Sequence, residues 1–217
     1  MKRYQLLPIY LGSFACVLTA FTVNAQTLEA TLTGVNPVLT VNGTFEDGPN
    51  TPEYSGAIQF TSTGSGSFDF ETFCAQPLTS VFLGQTLTYD VTSTSFLPNA
   101  DKIARLAGGY LASGQTSADA AAVQWAVWEI RNENSGTFDL TTGNVRIDTT
   151  SDLATANLGN LYLSQINSYS PASITYLTNT EYQDMIAFSP SVNPVPEPTS
   201  MGLLALSGAL LLRRKRK

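Results

Sequence analysis

Two side chains with complementary chemistry stand fifty positions apart in this sequence, the thiol of Cys74 and the carboxamide of Gln124. A thiolate is a nucleophile, and a carboxamide is an acyl group carried on a side chain. Attack of one on the other would release ammonia and leave an internal thioester without any cofactor. Each residue also has a plain structural interpretation, because cysteines are often inert in cores and buried amides are usually hydrogen bonded.

The cysteine and histidine content limits the kinds of chemistry that this sequence can support. The chain has two cysteines and no histidine. Cys16 lies in an apolar N-terminal run, so an exported form would keep Cys74 alone, and an odd cysteine indicates intermolecular pairing or a functional thiol. Without histidine, Ser-His-Asp or Cys-His hydrolysis and His-ligated zinc are excluded. Catalysis by paired carboxylates, lysine chemistry or a self-contained reaction remains possible. No metal site is visible in the sequence.

The N-terminus has the pattern of a secretory signal. Lys2 and Arg3 precede the apolar run, which extends over residues 6–23 and ends at the small-residue site Val23-Asn24-Ala25. This pattern predicts a signal peptide at residues 1–25 that is cleaved on export. An uncleaved membrane anchor is the alternative.

The C-terminus has three parts in order, Pro196-Glu197-Pro198, an apolar run at 201–212, and a basic end that includes Arg213 and Arg214. The run is shorter than the roughly 20 residues of a comfortable transmembrane helix. This arrangement resembles the PEP-CTERM sorting signal of Gram-negative bacteria. The resemblance implies transient anchoring in the inner membrane, processing by an exosortase-type membrane transpeptidase, and display at the cell surface or in the extracellular matrix. A plain tail anchor or a nucleic-acid-binding basic patch are the alternatives.

Between the ends lies a length typical of one domain. We predict a domain at 26–188, a proline-rich linker at 189–198 and the sorting segment at 199–217. The whole chain has a formal charge of −6, but between Gln26 and Pro196 four basic residues face 16 acidic ones, which leaves −12. Such a surface repels nucleic acid, so we expect no nucleic-acid partner.

The elements that carry Cys74 are predicted to be strands. Alternating or β-favouring patterns predict strands at residues 28–33, 38–45, 85–96, 144–149, 174–178 and 183–188, and a hairpin of 54–62 with 67–74. If Phe68, Phe70 and Thr72 line one face, Cys74 continues that face toward the core. The expected fold class is α+β, a β-rich barrel-like or sandwich-like domain with a small helical insertion.

The helices are expected around Gln124. Three helices are predicted. The first is short, beginning near Asn99 and ending at Gly108-Gly109, and the third runs from about 153 to 167. Between them, Thr116 or Ser117 caps a helix over about 118–132. Its stripe is apolar except for Gln124 and the terminal arginine, and consists of Ala120, Gln124, Val127, Trp128 and Arg131.

These features together resemble the thioester domains of bacterial surface adhesins. In that family a cysteine after an aromatic residue bonds to a glutamine in a Thr-Gln-x-Ala-aliphatic-Trp motif. Phe73-Cys74 matches the first motif, and the second is matched by residues 123–128, with Val123 in place of the threonine. The resemblance covers about residues 68–131, including a lead-in at 101–106. It implies a Cys74–Gln124 thioester.

The resemblance implies a covalent binder of single turnover, which is not an enzyme. An incoming primary amine on a protein or matrix target would take the acyl group and free Cys74. Phe73, Trp125 and Trp128 are the candidate shielding residues that exclude water. Gln76 is a rival acyl donor, although its spacing from Cys74 is one residue shorter than in complement-type thioesters. A passive structural or glycan-associated surface protein with an inert Cys74, and an enzyme using Asp69 with Glu71, are the alternative functions.

Overall fold

The computed structural model describes residues 26–64, 66–133 and 136–189. The signal-peptide and sorting-segment predictions therefore lie outside the described residues. The described strands are β1 Thr27–Phe45, β2 Thr51–Ser62, β3 Asp69–Cys74, β4 Thr86–Thr92, β5 Val145–Ile147, β6 Ser173–Thr178 and β7 Met185–Ser189. The helices are α1 Ala100–Ala112, α2 Ser117–Asn132 and α3 Leu153–Ser164.

Six antiparallel strands pair in a ring, in the order β1, β2, β3, β7, β6, β4 and back to β1. The ring closes at Ala30, which pairs with Ser62 of β2 and with Leu87 of β4. The short β5 pairs with the far end of β1. The predicted α+β, strand-rich class is confirmed, and the helices α1 and α2 both lie between β4 and β5.

The prediction of two strands at the start of the domain was wrong. Residues 27–45 form one strand, whose register against β2 shifts between Leu32 and Gly34 and again between Val35 and Val38. Gly34 and Pro37 stand between the two predicted strands, and proline cannot donate to a strand ladder. The strand instead absorbs each interruption as a local irregularity and continues, as strands do at bulges.

The glycine pair in α1 does not stop the helix, which was a second wrong prediction. The helix continues through Gly108 and Gly109 to Ala112. A Cβ atom at Gly108 would lie 1.9 Å from the Ser170 carbonyl oxygen, so glycine allows this turn of the helix to touch the chain before β6. Asn99 makes no side-chain cap and instead donates from Nδ2 to the Ile130 carbonyl of α2 at 3.0 Å.

Helix α2 is the centre of the domain. Thr116 and Asp119 form a capping box at its start, as the predicted cap implied. The single apolar stripe predicted for it is wrong in extent, because every residue from Ala120 to Ile130 is buried. Helix α2 contacts β1 and β2 on one side and α1 and α3 on others, so no face is left for solvent. None of the helices in the described ranges is both long and apolar enough to span a bilayer.

Trp125 fixes α2 against the sheet. Its ring stacks on Phe45 of β1 at a centroid distance of 5.0 Å, and its indole N–H donates to the Ser55 hydroxyl of β2 at 2.8 Å. Opposite its tip, Gly43 leaves the space that the ring occupies, since a Cβ there would lie 2.2 Å from the Trp125 ring. The position of α2, and with it Gln124, therefore depends on this contact.

Candidate functional site

Cys74 is the last residue of β3, and one edge of the strand has no partner strand at this point. On the other edge, Cys74 pairs with Met185 of β7. The pairing of β3 with β2 extends only as far as Thr72, opposite Ile58. Beyond that point β2 still pairs with β1 but no longer with β3, so the main-chain N–H and C=O of Cys74 face α2 instead of a strand.

Gln124 supplies the missing hydrogen bonds from α2. Its Oε1 accepts from the Cys74 N–H at 2.8 Å, and its Nε2 donates to the Cys74 carbonyl oxygen at 2.9 Å. The carboxamide thus takes the place of the next strand residue. Both Cys74 and Gln124 are buried, so the structure brings the two candidate reactive residues into direct contact inside the protein.

The Cys74 thiol donates to the Gln76 carbonyl oxygen at 3.0 Å. Burial raises the pKa of this thiol to about 12, because a thiolate would be removed from water. Among the opposing influences the Trp128 indole is the largest and Arg131 also contributes. The Trp128 N–H has no hydrogen-bond partner among the described residues, which leaves it able to donate to a thiolate.

A polar network holds the chain just after Cys74. Arg131 of α2 donates to the Ala75 carbonyl oxygen and to the Tyr176 hydroxyl, and its guanidinium lies 3.6 Å from the Asp184 carboxylate. Asp184 also accepts from the Tyr176 hydroxyl at 2.7 Å. Tyr176 and Asp184 could not be predicted as site residues, because nothing in their local pattern distinguishes them from other residues of the predicted closing strands.

Gln76, the rival acyl donor, is directed toward this network. Its Nε2 donates to Asp184 Oδ2 at 2.9 Å, and its Oε1 accepts from the Asp184 main-chain N–H. Its carbonyl oxygen accepts from Gln183 Nε2 at 2.8 Å as well as from the thiol. The amide that contacts Cys74 through both of its polar atoms is that of Gln124.

The three candidate shielding residues occupy different places. Trp128 lines the same cleft as Cys74 and Gln124. Trp125 packs on Phe45, and Phe73 stacks on Phe188 at 4.6 Å. Neighbouring residues of a strand point to opposite faces, so the Phe73 ring lies on the other side of β3 from the thiol.

A cleft of about 480 Å³ leads from the surface to the reactive pair. Its lining includes the buried Cys74, Gln124 and Trp128, and also Tyr54, which is exposed. The passage therefore connects solvent with the Cys74–Gln124 contact. Over the described ranges, no group of three or more acidic or cysteine side chains is placed to hold a metal ion.

Residues 194–217 match the model of the PEP-CTERM protein-sorting motif. The chain carries a PEP-CTERM sorting signal. The match includes the predicted Pro196, Glu197 and Pro198 and extends over Arg213 and Arg214, so the prediction of this motif is confirmed. The PEP-CTERM motif implies an exported protein that an exosortase processes at the membrane. A search of curated proteins found no match to the chain, and neither did a search of solved structures.

Proposed function

We propose that this exported PEP-CTERM protein is a covalent binder that forms an internal thioester between Cys74 and Gln124. The observation that carries the proposal is the pair of hydrogen bonds that hold the Gln124 carboxamide against the Cys74 main chain. The thiol belongs to the same residue, so nucleophile and acyl group start as neighbours, and proximity of this kind removes much of the entropic barrier to reaction.

The first step is an acyl transfer within the protein. The Cys74 sulfur attacks the Gln124 carboxamide carbon, the C–N bond breaks, and the thiol proton leaves with the nitrogen as ammonia. The Cys74 N–H already donates to Oε1, the oxygen on which negative charge develops, and such a pre-positioned donor favours the tetrahedral intermediate. Trp128 N–H and Arg131 supply further stabilisation for a thiolate.

The second step uses the stored bond. A primary amine attacks the thioester carbon, the C–S bond breaks, and the proton from the amine returns to sulfur. The products are an amide at position 124 and a free Cys74 thiol. The protein would act once per molecule, as an adhesin or matrix cross-linker at the cell surface or in the extracellular matrix. A high thiol pKa slows thioester formation, which a single event per molecule tolerates.

Intact mass spectrometry of the purified protein tests the proposal. We expect a mass that is lower than that of the unmodified chain by one ammonia molecule, a gain of one methylamine on treatment, and a thiol that titrates only afterwards. Cys74→Ala and Gln124→Ala provide matched controls that share the terminal processing of the parent protein. Cys74→Ala should retain the Gln124 ammonia, and Gln124→Ala has no carboxamide at this position to lose. A parent protein that retains the ammonia and a free thiol would end the proposal.

A passive surface protein is the second candidate, and one observation favours it. The Gln124 carboxamide is hydrogen bonded through both of its polar atoms, which is also how a purely structural core amide is accommodated. In that case the buried Cys74 is an inert apolar side chain. The mass comparison above separates the two candidates, because only the covalent binder loses an ammonia that its Cys74→Ala variant retains.

A further inference from the structure

The cleft at the reactive pair contains one charged side chain. Glu53 of β2 lines it, and the rest of its lining is uncharged, including Val35, Val38 and Ile58. The Glu53 carboxylate accepts from the Thr51 hydroxyl at 3.0 Å. Within the part of the chain that the structure describes, no basic side chain forms an ion pair with it.

The rim of the cleft is apolar and exposed. Tyr54 and Leu83 both line the cleft, with exposed fractions of 79% and 73%. Leu78 and Phe82 lie in the same loop between β3 and β4 as Leu83 and are also exposed. Clustered exposed apolar residues around a concave site mark interaction surfaces, because isolated domains rarely leave such patches uncovered.

We propose that Glu53 and this rim determine which amines the site accepts, selecting the alkylammonium of a lysine that stands among apolar residues on a partner protein. This inference rests on the proposed thioester. The carboxylate attracts the ammonium, which gives up one proton to water before the free amine attacks the thioester. The apolar walls contact the alkyl stem, and the rim binds the flanking apolar residues. The strongly negative charge between Gln26 and Pro196 also favours a cationic partner.

Amine selectivity tests the role of Glu53. The thioester-bearing protein is exposed to n-butylamine, which is cationic at neutral pH, and to hydroxylamine, which is uncharged there. Glu53→Gln should slow the butylamine reaction about fivefold, the effect of one partly exposed charge pair, and leave the hydroxylamine rate unchanged. Glu181→Gln, an exposed acid outside the cleft, is the matched control and should alter neither rate.

Lysine peptides test the rim. A peptide with leucines on both sides of its lysine should react faster than one with serines, and Tyr54→Ser should reduce this preference. Loss of ammonia from the parent protein would support the thioester. The selectivity inference alone fails if Glu53→Gln then reacts like the parent protein with both amines, or if the two peptides react equally. A protein that never loses ammonia overturns both.

Discussion

The side-chain amide of Gln124 is hydrogen bonded to both main-chain polar groups of Cys74, at 2.8 and 2.9 Å. The contact forms because β2 leaves β3 two residues before Cys74, which exposes a strand edge to α2. A buried strand edge needs hydrogen-bond partners, and a glutamine side chain supplies both a donor and an acceptor. The same contact holds an acyl group beside a thiol.

Replacing Trp128 should change the acidity of the thiol. In a Gln124→Ala background, which keeps the thiol free, Trp128→Phe removes the indole N–H that lowers the thiol pKa. We expect the pKa to rise further above that of an ordinary cysteine. The pH dependence of Cys74 alkylation measures it. Trp125→Phe is the control, because that indole donates to Ser55, and an equal rise in this variant would contradict the assigned role of Trp128.

Gly43 of β1, against which the Trp125 ring packs, should tolerate no side chain. Gly43→Ala places a methyl group 2.2 Å from the Trp125 ring and 2.6 Å from the Arg146 carbonyl oxygen. We expect a loss of about 3 kcal/mol in the free energy of unfolding, at the upper end for an overpacked site. Chemical denaturation measures it. Gly34→Ala is the matched control on the same strand, because the atom nearest to a Cβ at this position lies 3.4 Å away. Equal losses of stability in the two variants would contradict the packing of Trp125 against Gly43.

Glu129 makes stability depend on pH. Burial raises the pKa of its carboxyl from 4.5 to about 7, and the nearby acids Glu133 and Asp139 add to this. The folded protein therefore holds this proton more tightly than the unfolded chain does. Its contribution to stability is complete below pH 4.5 and is lost as the pH rises through about 7. We expect a decline on the order of 2 kcal/mol across this window.

Glu129→Gln should remove this decline, because an amide carries no charge to bury. Denaturation midpoints measured from about pH 4 to about pH 8 test this, because the range extends beyond both pKa values. Glu181→Gln, which is exposed, should keep the pH dependence of the parent protein. A decline of the same size in Glu129→Gln would assign the effect to another group.

Local patterns predicted much of the fold. The hairpin that ends at Cys74, the Thr116 cap, the helix over Gln124 and the closing strands all follow from alternation, capping residues and helix formers. The errors occurred where tertiary contacts decide. Gly108 permits contact with Ser170 instead of ending α1, and β1 continues past Pro37 because both of its halves pair with β2.

The site could be predicted only in part. The resemblance selected Cys74 and Gln124 as a pair, and the structure places them in hydrogen-bond contact. Their covalent bond stays a prediction. The way in which Gln124 completes a strand edge depends on where β2 and β3 separate, and that separation has no local sequence signal. The same holds for Asp184, which precedes β7, and for Glu53 of β2, because both approach the site from segments distant from Cys74 in sequence.

The most direct test locates the reactive bond by residue. The purified protein is treated with isotope-labelled methylamine, digested, and analysed by tandem mass spectrometry. We predict the label on the side chain of residue 124 as an N-methyl amide, a free thiol at Cys74 in the same sample, and no label in Cys74→Ala. An unlabelled Gln124 with a Cys74 thiol that was free before treatment would contradict the thioester.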